Sequence, residues 1–452
     1  MTHNNEKDRY RNNGLIASFG NKFSNTLELK SNVRVAETYL QYDHPQIEGS
    51  FGCPTCDHSE DVDGVEASTS VSLIYKPIDK LTNKFTVANT YIKRIYNRSP
   101  NSGNKQQDNY YGERYSYLYQ GNYNFNLDNS VVFGIEREDD QMGYNKDATG
   151  RIDSNAYVTS QFFDYQSRIT NNIYATFGAR FDEHSLAGGT GSNEDSHRAT
   201  IAYVFDDKTT KLKSSYGTGY RFPSLFELKY VFLASAETLP FVNAETSQSY
   251  DFGIEKSISP NLFIDLSYFN IKYFDALEGW ETNTAGGAFS TQNTTSTVKT
   301  QGIELMSRFK LNEMFNFGLN YTYTSSYDGA DEDDPNNTKS GSQMVRVPRN
   351  LINLITNIKV PAYKNLNISL RTKWSDEVRD YGNGNATSNK SPGFQDETLD
   401  NYLVNDLSVS YNYLNAYNLY FDITNVLDKK YETALQYSQM DRSFNFGIKK
   451  TY

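Results

Sequence analysis

The stretch LNISLRTKW, residues 366–374, decides the fold class because its side chains alternate in character with a period of two. One phase is mainly apolar and the other is polar or charged: Leu366, Ile368, Leu370, Thr372 and Trp374 against Asn367, Ser369, Arg371 and Lys373. This period is typical of a β-strand that separates two unlike surroundings. We predict that the charged face meets water, which would also be true of a soluble β-sandwich.

Strand length separates a membrane barrel from a sandwich. The alternating run at residues 26–42 is longer than ten residues. Strands of globular proteins usually span about five or six residues, whereas a tilted strand that crosses a bilayer needs about nine to eleven. The long runs therefore favour an all-β fold, an antiparallel transmembrane β-barrel.

The gaps between the predicted strands alternate between short and long. The short gaps are rich in turn-forming Asn, Asp, Pro or Ser and fall at residues 24–25, 77–82, 127–129, 168–172, 206–208, 257–260, 311–313, 361–364 and 414–416. The long gaps are polar and fall at residues 43–63, 98–109, 140–153, 184–195, 221–245, 275–298, 327–344, 378–399 and 430–440. Outer-membrane barrels have short periplasmic turns and long extracellular loops, so this alternation supports a barrel.

The number of predicted strands is smaller than in a complete transporter. We count about 19 strands, whereas plugged outer-membrane transporters have about 22. The first residues, MTHNNEKDRYRNN, contain no apolar segment of a secretory signal. Because bacterial single-chain barrels have even strand numbers, we expect residues 1–452 to be one barrel domain that lacks its signal peptide and about three strands.

Composition and charge exclude several classes of protein. The chain has 36 Tyr and 27 Phe in 452 residues and a mean hydropathy of −0.69, which excludes a helical membrane protein. The net charge of −11 argues against nucleic acid as a partner, since phosphate binding needs a basic face. Only two cysteines occur, so stability must come from strand pairing. A soluble β-sandwich or propeller is the alternative.

The C-terminal residues 418–452, NLYFDITNVLDKKYETALQYSQMDRSFNFGIKKTY, carry the most specific pattern. The stretch resembles the ending of TonB-dependent receptors, which close the penultimate strand with a similar turn and finish on an aromatic residue. The matching positions are Asn425, Asp428, Lys429, Tyr431, Arg442 and Tyr452. A Gly-Arg pair normally opens the last strand of these receptors, and Asp441 replaces that glycine here. An ordinary amphipathic edge strand is the alternative.

A second stretch, YGTGYRFPSLFELKY at residues 216–230, resembles a segment midway along the barrels of the same family. The matching positions are Tyr216, Gly217, Gly219, Arg221, Pro223, Leu225, Glu227 and Leu228. We expect the two glycines to permit a bend or a close backbone approach, and the proline to end the ladder of hydrogen bonds. Arg221 and Glu227 are expected to be paired or solvated charges at the barrel rim. KTQGIELMSRF at residues 299–309 and VPRN at 347–350 also resemble the family.

The resemblance implies an outer-membrane protein whose intact form binds a scarce small-molecule nutrient. It also implies three partners: the lipid bilayer, the TonB system that pulls on a plug, and the barrel-assembly machinery that reads the terminal aromatic. The plug and the TonB-contacting segment would precede this chain and be absent from it. DKKYET at residues 428–433 looks most like the cobalamin-transporter subgroup, with siderophore receptors as the alternative.

Other functional classes remain alternatives at the level of sequence. They are a passive outer-membrane channel, a surface-binding barrel, a nonfunctional receptor fragment and a soluble β-rich binding protein. The five histidines are scattered, and neither a G-x-S-x-G nor an H-E-x-x-H motif occurs. We therefore predict that the chain is not an enzyme.

Similarity to the cobalamin transporter also implies calcium in the early extracellular loops. The candidate oxygen ligands are Asp43, Asp57, Asp61, Asp63 and Asp108. A solvated acidic loop is the alternative.

Two thiols lie in the first of these loops. Cys53 and Cys56 predict a small loop-closing disulfide, because the outer surface of the cell is oxidising. Zinc bound by these thiols with His44 and His58 is the alternative.

Overall fold

The computed structural model describes residues 9–42, 60–98, 106–146, 150–186, 191–229, 242–283, 288–294, 297–329, 343–381, 396–414, 416–435 and 437–450. These residues are nearly all in β-strands, as the sequence predicted. Among them no helix has the length and apolarity needed to cross a bilayer.

The described residues contain 25 strands and one short helix. In chain order the strands are β1 (Tyr10–Lys22), β2 (Leu27–Tyr42), β3 (Glu60–Ile78), β4 (Leu81–Arg98), β5 (Gln106–Asn124), β6 (Asn129–Lys146), β7 (Gly150–Arg168), β8 (Ile173–Leu186), β9 (Gly191–Val204), β10 (Thr210–Arg221), β11 (Glu245–Ser259), β12 (Leu262–Phe274), β13 (Leu277–Asn283), β14 (Ala288–Asn293), β15 (Thr297–Lys310), β16 (Phe315–Gly329), β17 (Asn350–Lys359), β18 (Leu366–Ser375), β19 (Val378–Tyr381), β20 (Asp396–Leu399), β21 (Tyr402–Tyr413), β22 (Tyr417–Thr424), β23 (Glu432–Ala434), β24 (Tyr437–Ser438) and β25 (Ser443–Lys450). The helix, α1 (Leu225–Lys229), follows β10.

Nineteen of these strands form one antiparallel sheet. Each strand pairs with the sheet strands that precede and follow it in the sequence, and β1 and β25 are the two edges within the described ranges. The predicted antiparallel fold of about 19 strands is therefore confirmed.

Within the described ranges three small hairpins lie outside the sheet, and the sequence did not predict them. They are β13–β14, β19–β20 and β23–β24, within the connections at 275–298, 378–399 and 430–440. These connections were expected to be polar loops without strands. Strands such as β19 and β20, with four residues each, carry too little alternation to stand out.

The short turns form where the sequence placed them, and side chains stabilise them. Oδ1 of Asn312 accepts hydrogen bonds from the backbone nitrogens of Met314 and Phe315 at 2.8 and 2.9 Å. Oδ1 of Asp207 accepts from the nitrogens of Thr209 and Thr210 at 2.8 and 3.0 Å. Asn and Asp reverse the chain in this way because their side chains replace a backbone acceptor.

The two faces of the sheet differ in chemistry. We call the outer face the one that carries Phe252 and Leu266, and the inner face the one that carries Glu255 and Asp265. Outer-face apolar side chains are widely exposed, with 54% of Phe252 and 43% of Leu266 accessible. A continuous exposed apolar surface of this extent needs an apolar covering, which a bilayer supplies.

The course of α1 shows which face is concave. This helix follows β10, yet it packs against β6 and β7, several strands away. The ring of Phe226 in α1 lies near those of Tyr110 and Tyr144, which are on the inner face. The sheet must therefore curl around the inner face, as in the wall of a barrel.

One glycine of the family-like stretch is required by a close contact. A Cβ atom at Gly302 would lie 2.0 Å from the carbonyl oxygen of Tyr323 and 2.6 Å from Cζ of Phe269. Phe269 pairs with Gly302 across β12 and β15. The missing side chain therefore leaves room for the ring of Phe269 on the inner face.

Candidate functional site

The long connections all leave the same end of the sheet, which we call the loop end. One sequence-predicted stretch, described over residues 216–229, ends there, and a second, residues 425–432, lies there. Both stretches that resemble the known family reach the loop end, so we take the loop end as the candidate functional site.

Stretch 216–230 begins inside the sheet. Gly217 and Gly219 pair with Ser249 and Ser247 of β11 in regular register, so neither glycine bends the strand. The hydroxyls of Ser249 and Ser247 donate to the carbonyl oxygens of Gly217 and Gly219 at 3.3 and 3.4 Å. A Cβ at Gly219 would lie 3.0 Å from Oγ of Ser247, so close approach is the role that the structure supports.

The other members of this stretch lie where β10 leaves the sheet. Tyr216 lies on the outer face opposite Tyr250, and Pro223 is buried just after the strand. Leu225 and Leu228 are half-buried in α1. The proline thus marks the end of the ladder, as expected.

A capping box starts α1. The backbone nitrogen of Glu227 donates to Oγ of Ser224 at 3.2 Å, and the nitrogen of Ser224 donates to Oε2 of Glu227 at 2.7 Å. This reciprocal pair satisfies two amides that the first helical turn leaves without partners. A Ser-x-x-Glu sequence therefore stabilises even this five-residue helix.

Arg221 ties α1 to the neighbouring strand. Its Nη1 lies 3.1 Å from Oε2 of Glu227, and its Nε lies 3.5 Å from Oε1 of Glu245. Burial raises the pKa of Glu227, but the hydrogen bonds from Ser224 and Arg221 outweigh it and hold the pKa below its ordinary value. Arg221 and Glu227 thus form an ion pair at the rim, one of the two arrangements that the sequence predicted.

Aromatic rings at the loop end form what we call the rim cluster. Its members are Tyr96, Tyr110, Tyr144, His184, Phe222 and Phe226. The rings of Tyr110 and Tyr144 stack with centroids 4.6 Å apart, and Phe226 lies 6.3 Å from Tyr110. The imidazole of His184 stacks on Phe222 at 4.3 Å. The segment after β10 is therefore seated on the inner wall by its rings.

Charged pairs line the inner wall next to the rim cluster. Nε of Arg114 donates to Oδ1 of Asp140 at 2.6 Å, and its Nη1 lies 3.2 Å from Oε1 of Glu138. Arg180 bridges Glu136 and Asp182 at 3.2 and 3.0 Å. The side chain of Arg114 is 49% exposed, so these charges are accessible from the space that the inner face borders.

The C-terminal stretch forms a tight turn around one buried amide. Asn425 is 1% exposed and has a φ of 53°, in the left-handed region. Its Oδ1 accepts from the nitrogen of Lys429 at 2.9 Å, and its Nδ2 donates to the carbonyl oxygens of Lys429 and Met440 at 2.9 and 3.2 Å. Asparagine fits this position because it tolerates a positive φ and bonds on both sides of the turn.

Asp428 and Tyr431 extend the same turn. Oδ1 of Asp428 accepts from the backbone nitrogen of Arg442 at 2.8 Å, and this hydrogen bond lowers the pKa of the Asp428 carboxyl. The ring of Tyr431 lies 4.4 Å from that of Tyr402 on the inner wall. These contacts give the C-terminal stretch a structural role.

A carboxylate that the sequence did not single out connects three loop segments. Oδ1 of Asp380 in β19 accepts from Nε of Arg346 at 2.8 Å, and its Oδ2 accepts from the backbone nitrogen of Leu435 at 2.6 Å. Arg346 follows β16 and Leu435 follows β23. No local pattern marks Asp380, because its partners are distant in sequence.

The rim cluster was also missed, although a signal for it exists. Tyr96, Tyr110 and Tyr144 each occupy the polar phase of their strands, close to the loop end. Aromatic residues on that phase in three successive strands would have indicated a contact surface inside the barrel.

The described members of the predicted calcium set do not meet. Asp61 and Asp63 lie on the outer face of β3, whereas Asp108 lies on the inner face of β5. No group of three or more potential metal ligands lies together within the described ranges. Several predicted residues fall outside those ranges: Asp43, Asp57, Cys53, Cys56, His44, His58 and Tyr452. The calcium site and the disulfide stay predictions.

This architecture is similar to that of known proteins. The family model described as TonB dependent receptor-like, beta-barrel matches residues 2–426. The solved structure of the copper transporter OprC is similar with a TM-score of 0.78 and 13% identity, over 98% of this chain and 72% of its own. No curated protein matches the chain.

Two further solved structures are similar. The ferric-catecholate import receptor Fiu from K12 E. coli gives a TM-score of 0.73 at 11% identity, over 98% of this chain and 75% of its own. The ferripyoverdine receptor of the outer membrane of Pseudomonas aeruginosa gives 0.76 at 13% identity, over 98% and 65%. These low identities show the fold alone. With the family match across most of its length, the chain belongs to the TonB-dependent receptor-like β-barrel family.

Proposed function

We propose that the chain forms the wall of an outer-membrane receptor for TonB-energised uptake of a scarce nutrient, in the class of metal–chelate complexes. The family membership supports this function. The names of three similar structures, a copper transporter, a ferric-catecholate importer and a ferripyoverdine receptor, favour a metal-containing cargo. The activity of the whole protein, its TonB dependence and its recognition by the barrel-assembly machinery belong to this proposal.

We assign the cargo-binding site to the rim cluster. The rings of Tyr96 and Tyr110, which are half-buried, give an apolar surface, and Arg114 and Arg180 lie on the same inner wall. Many chelates of metal ions carry aromatic groups and a net charge, so aromatic rings and guanidinium groups suit them. The inner face at the loop end is therefore where we expect cargo to bind.

Cobalamin is the second candidate cargo. The sequence DKKYET at 428–433 resembles the cobalamin-transporter subgroup and supports this candidate. Calcium bound by the predicted loop carboxylates, Asp43, Asp57, Asp61, Asp63 and Asp108, would accompany it. A passive channel or a surface-binding barrel would need neither cargo nor TonB.

Binding and uptake can be tested separately. The full-length protein in detergent would be titrated with a panel of ferric chelates, copper and cobalamin while tyrosine fluorescence is measured. Tyr110→Ala should weaken the binding of the cargo, and Tyr363→Ala, which removes an exposed tyrosine far from the loop end, is the matched control. Uptake of the labelled cargo would then be compared in cells with and without TonB. Equal uptake in both would overturn active transport and favour a passive channel.

A further inference from the structure

A groove on the outer face has one cationic end. It crosses four adjacent strands between two rows of side chains. The upper row runs Val71, Val87, Tyr117 and Arg137 through direct cross-strand pairs, and the lower row includes Leu73 and Ile135. The upper row spans three inter-strand steps, or about 14 Å. Arg137 is thus a charge placed on an apolar, membrane-facing surface.

The position of Arg137 along β6 sets its height within the apolar band of the barrel wall. The strand leaves a short turn at Asn129, eight residues earlier. At about 3.3 Å per residue and a tilt of about 40°, Arg137 lies about 20 Å above that turn, and the apolar band of such barrels is about 25 Å tall. The guanidinium therefore lies in the upper part of the band, near the headgroups of the outer leaflet.

The surroundings of Arg137 fix its orientation. Its Nε donates to Oδ1 of Asp139 at 2.9 Å, and its Nη1 donates to Oγ1 of Thr159 at 3.2 Å. Nη2 also lies 2.9 Å from Oδ1 of Asp139. The guanidinium carbon stands 3.6 Å from the centroid of the Tyr157 ring. These contacts hold the planar group rigidly.

Donors remain on Arg137 after these contacts. A guanidinium has five N–H groups, and contacts within the described part of the chain use three of them, so one N–H on each terminal nitrogen is available. The side chain is 39% exposed. Two N–H groups in a fixed plane match the oxygens of a phosphate. Because Asp139 offsets the charge, hydrogen-bond geometry rather than long-range attraction would select the ligand.

We propose that this groove binds a phosphate-bearing lipid of the outer leaflet. One acyl chain lies across Val87 and Tyr117, and the phosphate accepts hydrogen bonds from Arg137. The proposal rests on the outer-membrane location in the proposed function, but it requires no cargo and no TonB. Loss of transport would therefore leave lipid binding unchanged.

Native mass spectrometry of the full-length protein in detergent tests this site. Dipalmitoyl phosphatidylglycerol would be compared with dipalmitoylglycerol, which has the same chains without the phosphate. We expect wild-type protein to retain the phospholipid, and Arg137→Gln to retain about tenfold less, since two charge-assisted hydrogen bonds are lost. Val87→Trp, which fills the groove, should also lower retention.

Two controls separate specific binding from general lipid contact. Arg94→Gln removes an arginine of β4 on the inner face, where it pairs with Glu66 at 3.5 Å, and should retain lipid like the wild type. Glycerol phosphate without acyl chains should not bind, because it cannot use the groove. Equal retention by Arg137→Gln and wild type, or equal retention of the two lipids by wild type, would overturn the proposal.

Discussion

Arg346 donates from Nε to Oδ1 of Asp380 at 2.8 Å, and the carboxylate of Asp380 is completely buried. The two residues belong to different loop-end segments, and the second oxygen of Asp380 holds the backbone of Leu435 in a third. A single carboxylate thus connects three segments that are far apart in sequence.

Removing this carboxylate should loosen all three segments. Asp380→Ala leaves the N–H of Leu435 without its acceptor, and because this donor is only partly buried the cost should lie near the lower end of the roughly 1–3 kcal/mol of a buried donor. We expect faster hydrogen exchange at Leu435, measured by mass spectrometry. Glu377→Gln, an exposed neighbour, is the control and should exchange at the wild-type rate. Unchanged protection in Asp380→Ala would contradict a connecting role.

The seating of α1 should depend on pH. The folded-state pKa of Glu227 lies below its ordinary value, because hydrogen bonds from Ser224 and Arg221 outweigh burial. Its stabilising effect is therefore present above the unfolded pKa of about 4.3 and is lost as the pH falls through the lowered folded value. Fluorine NMR of 3-fluorotyrosine at position 144 should report release of Phe226 in that acidic range. In Glu227→Gln the acid transition should disappear, and its persistence would assign it to another group.

The rings of Phe226 and Tyr144 should be energetically coupled. Their centroids lie 6.5 Å apart at 73°, an edge-to-face arrangement. Such pairs contribute about 0.5–1.5 kcal/mol beyond the area they bury. A double-mutant cycle with Phe226→Ala and Tyr144→Ala, followed by urea unfolding, measures the coupling. Additive effects would mean that α1 leaves the wall in solution.

Asn425 allows backbone strain and hydrogen bonding to be separated. Asn425→Gly keeps the positive φ of 53° accessible but loses the side-chain hydrogen bonds, whereas Asn425→Ala loses both. We expect both variants to unfold at lower urea concentration, with alanine worse by about 1–2 kcal/mol. Equal destabilisation would show that the left-handed conformation carries no cost at this turn.

A charge on each face of β12 tests the membrane interpretation. Leu266→Arg puts a charge on the outer face, which costs about 2–4 kcal/mol near the middle of a bilayer. Ser267→Arg puts the same charge on the adjacent inner-face position and should cost little. Folding into lipid vesicles would be titrated with urea. In a soluble β-protein the exposed Leu266 would tolerate arginine, so equal stability of the two variants would reject a lipid-facing outer side.

The sequence predicted the features that are local. Alternation within runs such as 366–374 located strands, and Asn312 and Asp207 marked turns whose hydrogen bonds span two or three residues. Family resemblance marked the stretch from residue 216, which contains the helix cap, and the turn at Asn425. It did not locate Asp380 or the seating of Phe226, because those contacts join residues separated by tens of positions. Gly217 was expected to permit a bend or a close backbone approach, and ladder pairing with Ser249 continues through it.

The pairing of each strand with its neighbours along the chain has a consequence for how this wall is made. Most contacts form between segments that leave the ribosome one after the other, so the contact order is low for an all-β protein of this size. Closing each hairpin brings together ends separated by one connection, and the entropic cost grows only slowly with its length. The wall can thus assemble by successive addition of hairpins, and longer or shorter connections at the loop end can be exchanged without altering the order of assembly.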